Sequence, residues 1–177
     1  MDAIISQAQA GFEFIGGSVC LDFVNTVHGI REGFSYEGLT NYADLVSWSR
    51  QADLLTASEA ETLRCKAQHD REEARLILGR AYLLREAIYH ICTALIAGTQ
   101  PAGTDLEALN AELRRGTAEA SIILTTDGLR WEWGQEEGSL DQMLGPLARS
   151  AALLLTSAEA KLIRQCANTH CGWLFVD

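Results

Sequence analysis

A continuous apolar stripe of helical period, from about Asp70 to Ala97, constrains the fold more than any other feature of this sequence. Its members are Ala74, Ile77, Leu78, Ala81, Leu84, Ile88, Ile91, Cys92 and Leu95. Apolar residues three and four positions apart share one face of an α-helix, and that face must be buried against other elements. We therefore predict one long helix that ends near Gly98 and forms the centre of the fold.

Shorter helical patterns surround this segment. We predict a first helix over residues 19–27 and a glycine-bearing surface loop over residues 28–38. Thr56 has the spacing of a capping box and should start a further helix. Residues 139–142 should cap a later helix that runs to about residue 155 and bends near Pro146.

One segment changes from helical to alternating period. Residues 120–126 are β-branched and apolar, Asp127-Gly128 is a turn signal, and residues 129–133 alternate. We predict a β-hairpin here, with Trp131 and Trp133 on the same face. The two rings either pack against a helix or form the aromatic wall of a ligand pocket.

The spacing of Cys166 and Cys171 is that of one arm of a zinc knuckle. Four residues separate the thiols, and Gly172 with an aromatic-aliphatic run follows them. Zinc binds thiolates well, but a structural site needs four ligands, so the pair predicts an incomplete zinc site. A tail absent from this sequence or a second chain would complete it. The alternatives are a vestigial knuckle without metal and two ordinary surface cysteines.

These patterns together predict a mainly α fold of the α+β type. A helical domain built around one long helix, with a β-hairpin, occupies residues 1–163, and a C-terminal half zinc knuckle occupies residues 164–177. With almost no linker between the two, we expect the knuckle to lean against the helical domain.

A polar cluster is the second candidate site. Asp22, Asn25 and Thr26 lie at i, i+3 and i+4 and should share one side of the first helix. Arg85 lies on or beside the apolar stripe, where an unpaired charge is costly. We predict that Arg85 pairs with Asp22, either as a structural ion pair or as part of a site for a small polar ligand.

Composition limits the classes of function. The net charge is −10, with 24 acidic and 14 basic residues, so the chain lacks the basic cluster that phosphate contacts require. It also lacks an apolar run long enough to span a membrane and a secretion signal, which favours a cytoplasmic location without membrane contact. The sequence contains no catalytic template, and we predict no catalytic residue and no enzyme activity. The alternative is a small-molecule-binding protein or enzyme that uses Asp22, Asn25 and Arg85.

Six segments, in this order, resemble the bacterial ABATE-domain family, described as stress-induced transcription regulators. They are residues 21–26 (LDFVNT), 42–45 (YADL), 84–89 (LREAIY), 130–133 (RWEW), 146–151 (PLARSA) and 166–175 (CANTHCGWLF). The resemblance implies a helical sensor domain joined to a CGNR zinc finger that binds DNA. It makes Cys166 and Cys171 the first ligand pair. The second pair and the basic DNA-contacting segment of the family have no counterpart in these residues.

The resemblance therefore predicts a transcription regulator of the stress response with zinc as its cofactor. DNA contact is expected only through a basic segment absent from this sequence. A small-molecule effector and a homodimer are further expected partners. One route to a dimer is pairing through the C-terminal strand, residues 172–176, which we expect to be exposed for lack of its partner segment.

Overall fold

A computed structural model of the protein describes residues 12–31, 33, 35–118, 120–132 and 138–177. The α-helices are α1 (Val19–Val24), α2 (Tyr42–Gln51), α3 (Ala57–His69), α4 (Arg71–Ile96), α5 (Gly103–Thr117) and α6 (Leu144–Thr156), and a 3-10 helix (Ala158–Leu162) follows α6. The strands form antiparallel pairs, β1 (Val27–Gly29) with β2 (Ser35–Glu37), β3 (Ser121–Thr125) with β4 (Gly128–Glu132), and β5 (Ile163–Gln165) with β6 (Leu174–Val176). The prediction of a mainly helical fold with a small antiparallel hairpin is confirmed.

The 26-residue helix α4 covers the apolar stripe and packs against the other five α-helices. Its buried residues include Ala81, Leu84, Ile88 and Ile91. Burying each large apolar side chain contributes about 1.5–3 kcal/mol, so this face supplies much of the stability of the helical body. Within the described residues, no helix is both long and apolar enough to cross a membrane.

Two glycines allow α5 and α6 to cross in direct backbone contact. A Cβ atom added to Gly116 of α5 would lie 2.3 Å from the Cα atom of Gly145 in α6. Arg80 of α4 holds the same region together, because its guanidinium pairs with Glu112 of α5 at 2.6 Å and with Asp141 at 2.8 Å. The relative positions of α4, α5 and α6 are thus fixed by close backbone contact and by one branched ion pair.

Two predictions about the start of the chain were wrong. The first helix ends at Val24 rather than at residue 27, and residues 28–38 include most of the β1–β2 hairpin rather than a plain loop. The hydroxyl of Thr26 donates to the Phe23 carbonyl oxygen at 2.7 Å, and the Thr26 carbonyl accepts from the Gly38 amide at 2.9 Å. These bonds satisfy the end of α1 and turn the chain into β1.

Local capping signals were correct at α3 and wrong at α6. Thr56 and Glu59 form the predicted capping box at the start of α3. However, α6 begins at Leu144 without a side-chain cap, and residues 139–142 precede it. Pro146 is the third residue of α6, in the first turn, where a proline removes no helical hydrogen bond, so nothing requires the predicted bend.

Candidate functional site

The two thiols of the predicted half-knuckle lie together in the turn that joins β5 to β6. Cys166 directly follows β5, and its amide donates to the Trp173 carbonyl oxygen at 2.9 Å. The Cys171 amide closes the turn by donating to the Asn168 carbonyl oxygen at 2.9 Å. Burial raises the pKa of the Cys171 thiol, and a hydrogen bond with the neighbouring Cys166 side chain raises it further.

This arrangement brings two candidate metal ligands together. Both thiols are half-buried, and neither forms a disulfide. Within the described residues, no group of three or more His, Cys, Asp or Glu side chains could hold a metal ion. The neighbouring His170 is exposed, and its ring contacts the Thr169 hydroxyl at 3.3 Å. The donor set therefore fits half of a tetrahedral thiolate site, and the assignment of Cys166 and Cys171 to zinc stays a prediction.

Asn25 attaches this hairpin to the helical body. Its side-chain amide donates to the Leu174 carbonyl oxygen at 2.8 Å, and its side-chain oxygen accepts from the Leu174 amide at 2.8 Å. Asn25 thus bonds β6 as a neighbouring strand would. Leu174 is fully buried in the same core cluster as α1 and α4. The hairpin leans against the body as predicted, whereas the domain boundary at residues 163/164 stays a prediction.

A second set of contacts holds the turn before β6 against the β1–β2 hairpin. The indole nitrogen of Trp173 donates to the Val27 carbonyl oxygen at 3.2 Å, and its ring lies 5.1 Å from that of His28. A Cβ atom added to Gly172 would lie 2.5 Å from the Gly29 carbonyl oxygen. Burial lowers the pKa of His28, which favours the neutral ring between its aromatic neighbours.

The predicted ion pair between Arg85 and Asp22 is not present. The Arg85 guanidinium, 3% exposed, pairs instead with Glu37 of β2 at 2.5 Å and with Glu86 at 3.0 Å. It also donates to the Thr26 hydroxyl at 3.0 Å. Burial lowers the pKa of Arg85, but the two carboxylates outweigh it, and the net pKa is raised. Arg85 and Thr26 therefore fasten β2 to α4.

Asp22 has a different partner. Its carboxylate accepts from the Gly16 amide at 2.7 Å, and the Gly16 carbonyl oxygen accepts from the Val176 amide at 3.0 Å. Burial raises the pKa of Asp22 in spite of this bond. The predicted cluster thus separates into two pairs. Asp22 and Asn25 hold β6 to α1, and Thr26 and Arg85 hold β2 to α4.

Sequence reasoning missed two charged residues of this region. Arg31 donates to Glu86 at 2.7 Å and to the Val24 carbonyl oxygen at 2.8 Å, and its guanidinium stacks 3.8 Å from the Tyr89 ring centroid. Burial lowers the pKa of Arg31. Arg31 and Glu37 lie in the segment that was interpreted as a surface loop. The one sequence signal for Glu37 was indirect: a buried Arg85 needs a carboxylate partner.

The predicted aromatic pair is only partly described. The Trp131 ring is partly exposed, with the Arg149 guanidinium 4.4 Å from its centroid, so it stacks on α6 rather than entering the core. Trp133 lies outside the described residues.

The strand proposed for dimerisation, residues 172–176, does not offer an exposed edge. Asn25 occupies both backbone groups of Leu174, and Gly16 accepts from the Val176 amide. Pairing with a second chain along this edge would require these bonds to break.

One family model matches the chain over residues 17–158, which is more than half of its length. The family is ABATE, described as "Putative stress-induced transcription regulator". Cys166 and Cys171 lie outside the matched range. No curated protein matches the chain.

Proposed function

Because the chain belongs to the ABATE family, we propose that it is a transcription regulator whose helical body senses a signal and is coupled to a zinc-binding hairpin. The observation that carries this proposal is the double hydrogen bond between the Asn25 side chain and the Leu174 backbone. It links the end of α1 to the strand that follows Cys171.

The coupling works through contacts that a change in the helical body would disturb. α1 packs against α4 and α6, and α4 also contacts β5. A shift of α1 relative to α4 would alter the position of Asn25, and with it the register of β6. The body can in this way transmit its own state to the thiol pair, which is what a sensor domain must do.

The thiol pair is the metal-binding part of the proposal. Cys166 and Cys171 are two ligands of one zinc ion, and the remaining ligands come from outside the described residues. Zinc would hold the hairpin turn closed and contribute folding free energy, because its ligands do not form a site in the unfolded chain. The backbone bond between Cys166 and Trp173 already closes the hairpin behind the two thiols.

In this proposal, the residues of the polar cluster stabilise the structure and do not bind a ligand. Asp22, Asn25, Thr26 and Arg85 are buried, and each is hydrogen-bonded to another residue of the chain. A site for a substrate or small ligand would instead present polar groups that converge on open space. The cluster therefore supports the regulatory function better than the enzymatic alternative.

The charge of the chain bears on how such a regulator would reach DNA. With a net charge of −10, the 177 residues repel phosphates, so DNA contact requires basic residues that the acidic body does not provide. We place the body in the cytoplasm as the sensing part of the regulator.

Comparison of transcripts tests the regulatory function. In the host, deletion of the gene should change a defined set of transcripts under stress, and the wild-type gene should restore them. The Cys166→Ser gene should not restore them, whereas Cys65→Ser, a change at an exposed cysteine of α3, should. A deletion that leaves transcripts unchanged under heat, oxidative and nutrient stress would refute the proposal.

Cobalt substitution tests the metal site directly. Co²⁺ bound to thiolates in a tetrahedral site gives visible and near-ultraviolet absorption bands. Titration of the reduced protein should give these bands for wild type and Cys65→Ser and not for Cys166→Ser or Cys171→Ser. Zinc content by mass spectrometry would distinguish one ion per chain from one per two chains. Identical spectra for all four proteins would exclude the two thiols as ligands.

A further inference from the structure

One face of the β3–β4 hairpin carries large apolar side chains that stay exposed within the part of the chain that the structure describes. The register places Ile122 opposite Trp131 and Leu124 opposite Leu129, so the four side chains share one face. Their exposed fractions are 59%, 41%, 78% and 75% in that order. In an antiparallel hairpin that lies on a core, the apolar face is the buried one. Here it is the exposed one.

The neighbouring surface of α6 extends this apolar face. Arg149 stacks on Trp131, and Leu153, one helical turn further along α6, is 57% exposed. With about 150–250 Å² for each large side chain, the exposed fractions of the five apolar residues give roughly 450–800 Å². A patch of that size is at the upper limit for a monomer and usually marks an interaction surface.

We propose that the hairpin face, formed by Ile122, Leu124, Leu129 and Trp131 of the hairpin together with Leu153 of α6, is the interface of a homodimer. Two such patches facing each other would bury roughly 900–1,600 Å², a range that overlaps the size of specific interfaces. The same patch on both subunits gives a closed two-fold dimer, the most common oligomer. The proposal is independent of the zinc site and of the route to a dimer through residues 172–176.

The charge of the chain limits where a second copy could bind. Two chains of net charge −10 repel each other, so their contact should lie where carboxylates are absent. The five residues of the hairpin face carry no charge, and the charged group that stacks on it, Arg149, is basic. Dimerisation should therefore strengthen as salt screens the repulsion between the two acidic bodies, whereas contacts between opposite charges weaken with salt.

Sedimentation equilibrium of the wild-type chain tests the proposal. The protein is measured from 1 to 200 μM in 0.05 M and 0.5 M NaCl, with a reductant and a metal chelator present throughout. We expect a monomer–dimer equilibrium that is tighter at 0.5 M NaCl. A chain that is monomeric at 200 μM in both salts would overturn the proposal and indicate a different protein as the partner. If dimers form only in a parallel run without the chelator, the two chains share zinc and the proposal is wrong.

A charged pair on the hairpin identifies the interface. In the double variant Leu124→Lys with Leu129→Glu, opposite charges face each other across the two strands, which preserves the hairpin while removing the apolar face. We expect a dimer dissociation constant at least about 100-fold higher, because charging two central interface residues removes two buried anchors. The urea midpoint of the monomer should not change, and a large fall in that midpoint would mean that the face is covered within the chain.

The matched control lies on α4. Leu76 and Leu83 are 55% and 68% exposed, and Leu76→Lys with Leu83→Glu makes the same chemical change on another element. The control should dimerise like the wild type. If it is monomeric while the hairpin variant still dimerises, the interface lies on α4 and the proposal is wrong.

Discussion

Replacement of Asn25 by alanine should detach the β5–β6 hairpin from the helical body before the body itself unfolds. The side chain is 3% exposed and forms two 2.8 Å bonds to the backbone of Leu174. Alanine removes both partners at once. The Leu174 amide and carbonyl groups are then left inside the protein without hydrogen bonds.

The magnitude follows from those two bonds. A buried polar group that loses its partner costs about 1–3 kcal/mol, so two groups on Leu174 give a loss of about 4 kcal/mol. Water that enters the gap left by Asn25 would reduce this figure. For a chain of 177 residues, a loss of this size lowers the melting temperature by about 8–16 °C, at 2–4 °C per kcal/mol.

Urea denaturation and amide hydrogen exchange are the two measurements. Asn25→Ala should lower the free energy of unfolding by about 4 kcal/mol. It should also abolish protection of the Leu174 and Val176 amides while the amides of α4 remain protected. The matched control is Asn41→Ala, which removes the exposed cap of α2, at a cost of about 1 kcal/mol. If Asn25→Ala loses no more than the control, or if β6 stays protected, the hairpin is held by apolar packing and the proposed coupling through Asn25 fails.

Three further changes test the ion pair, the aromatic contact and the helix crossing. Glu37→Ala should lower the free energy of unfolding by about 2–3 kcal/mol, because Arg85 would remain buried with less compensation, although the partial exposure of Glu37 limits the loss. Because the pKa of His28 is lowered in the folded protein, the unfolded chain binds the proton more readily, and the free energy of unfolding should fall as the pH drops below about 6.5. His28→Gln should show a smaller fall between about pH 7.5 and 5.5. Gly116→Ala should destabilise the protein by about 3 kcal/mol through the backbone clash with α6, whereas Gly79→Ala, with no atom within 4 Å of the new Cβ, should stabilise it by up to about 1 kcal/mol. Urea midpoints report all three.

Each of these changes has a clear contrary outcome. Glu72 forms an exposed pair with Arg75 on α4, so Glu72→Ala should leave the urea midpoint unchanged and is the control for Glu37→Ala. If Glu37→Ala also leaves the midpoint unchanged, the buried pair with Arg85 does not stabilise the protein. Equal pH dependence of wild type and His28→Gln would mean that His28 is not buried as described. If Gly116→Ala and Gly79→Ala shift the midpoint in the same direction, the close crossing of α5 and α6 is not present.

The sequence predicted the elements that local signals determine. The long helix was expected over about residues 70–97 and is α4, Arg71–Ile96, because its apolar stripe and the glycine after it lie within one segment. The Thr56 capping box is correct for the same reason. The three-residue strands β1 and β2 were missed, since a strand of that length is too short to show a period. Their pairing depends on the bonds from Thr26 and on Arg85, which lie on other elements.

The candidate site, too, could be predicted from the sequence only in part. Burial of Arg85 was expected from its position beside the stripe, and its need for a carboxylate followed from physical chemistry. The choice of Glu37 over Asp22 could not follow, because both lie far from Arg85 in sequence and only the fold decides which one approaches. Asn25 was predicted to share a cluster with Arg85, but its partner is a backbone group 149 residues away. Such a partner leaves no pattern in the sequence.

Because β6 is held by hydrogen bonds to Asn25 and not by apolar packing alone, the position of the thiol pair depends on the register of β6. Apolar surfaces tolerate small displacements, whereas a side-chain amide that bonds both backbone groups of Leu174 accepts one register of β6. A shift by one residue would turn the side chains of β6 to opposite faces and leave the amide unpaired. Cys171 lies three residues before Leu174, so the register of β6 also sets where this thiol stands relative to Cys166. The contact that fastens the hairpin to α1 is therefore also the contact that positions the two candidate ligands.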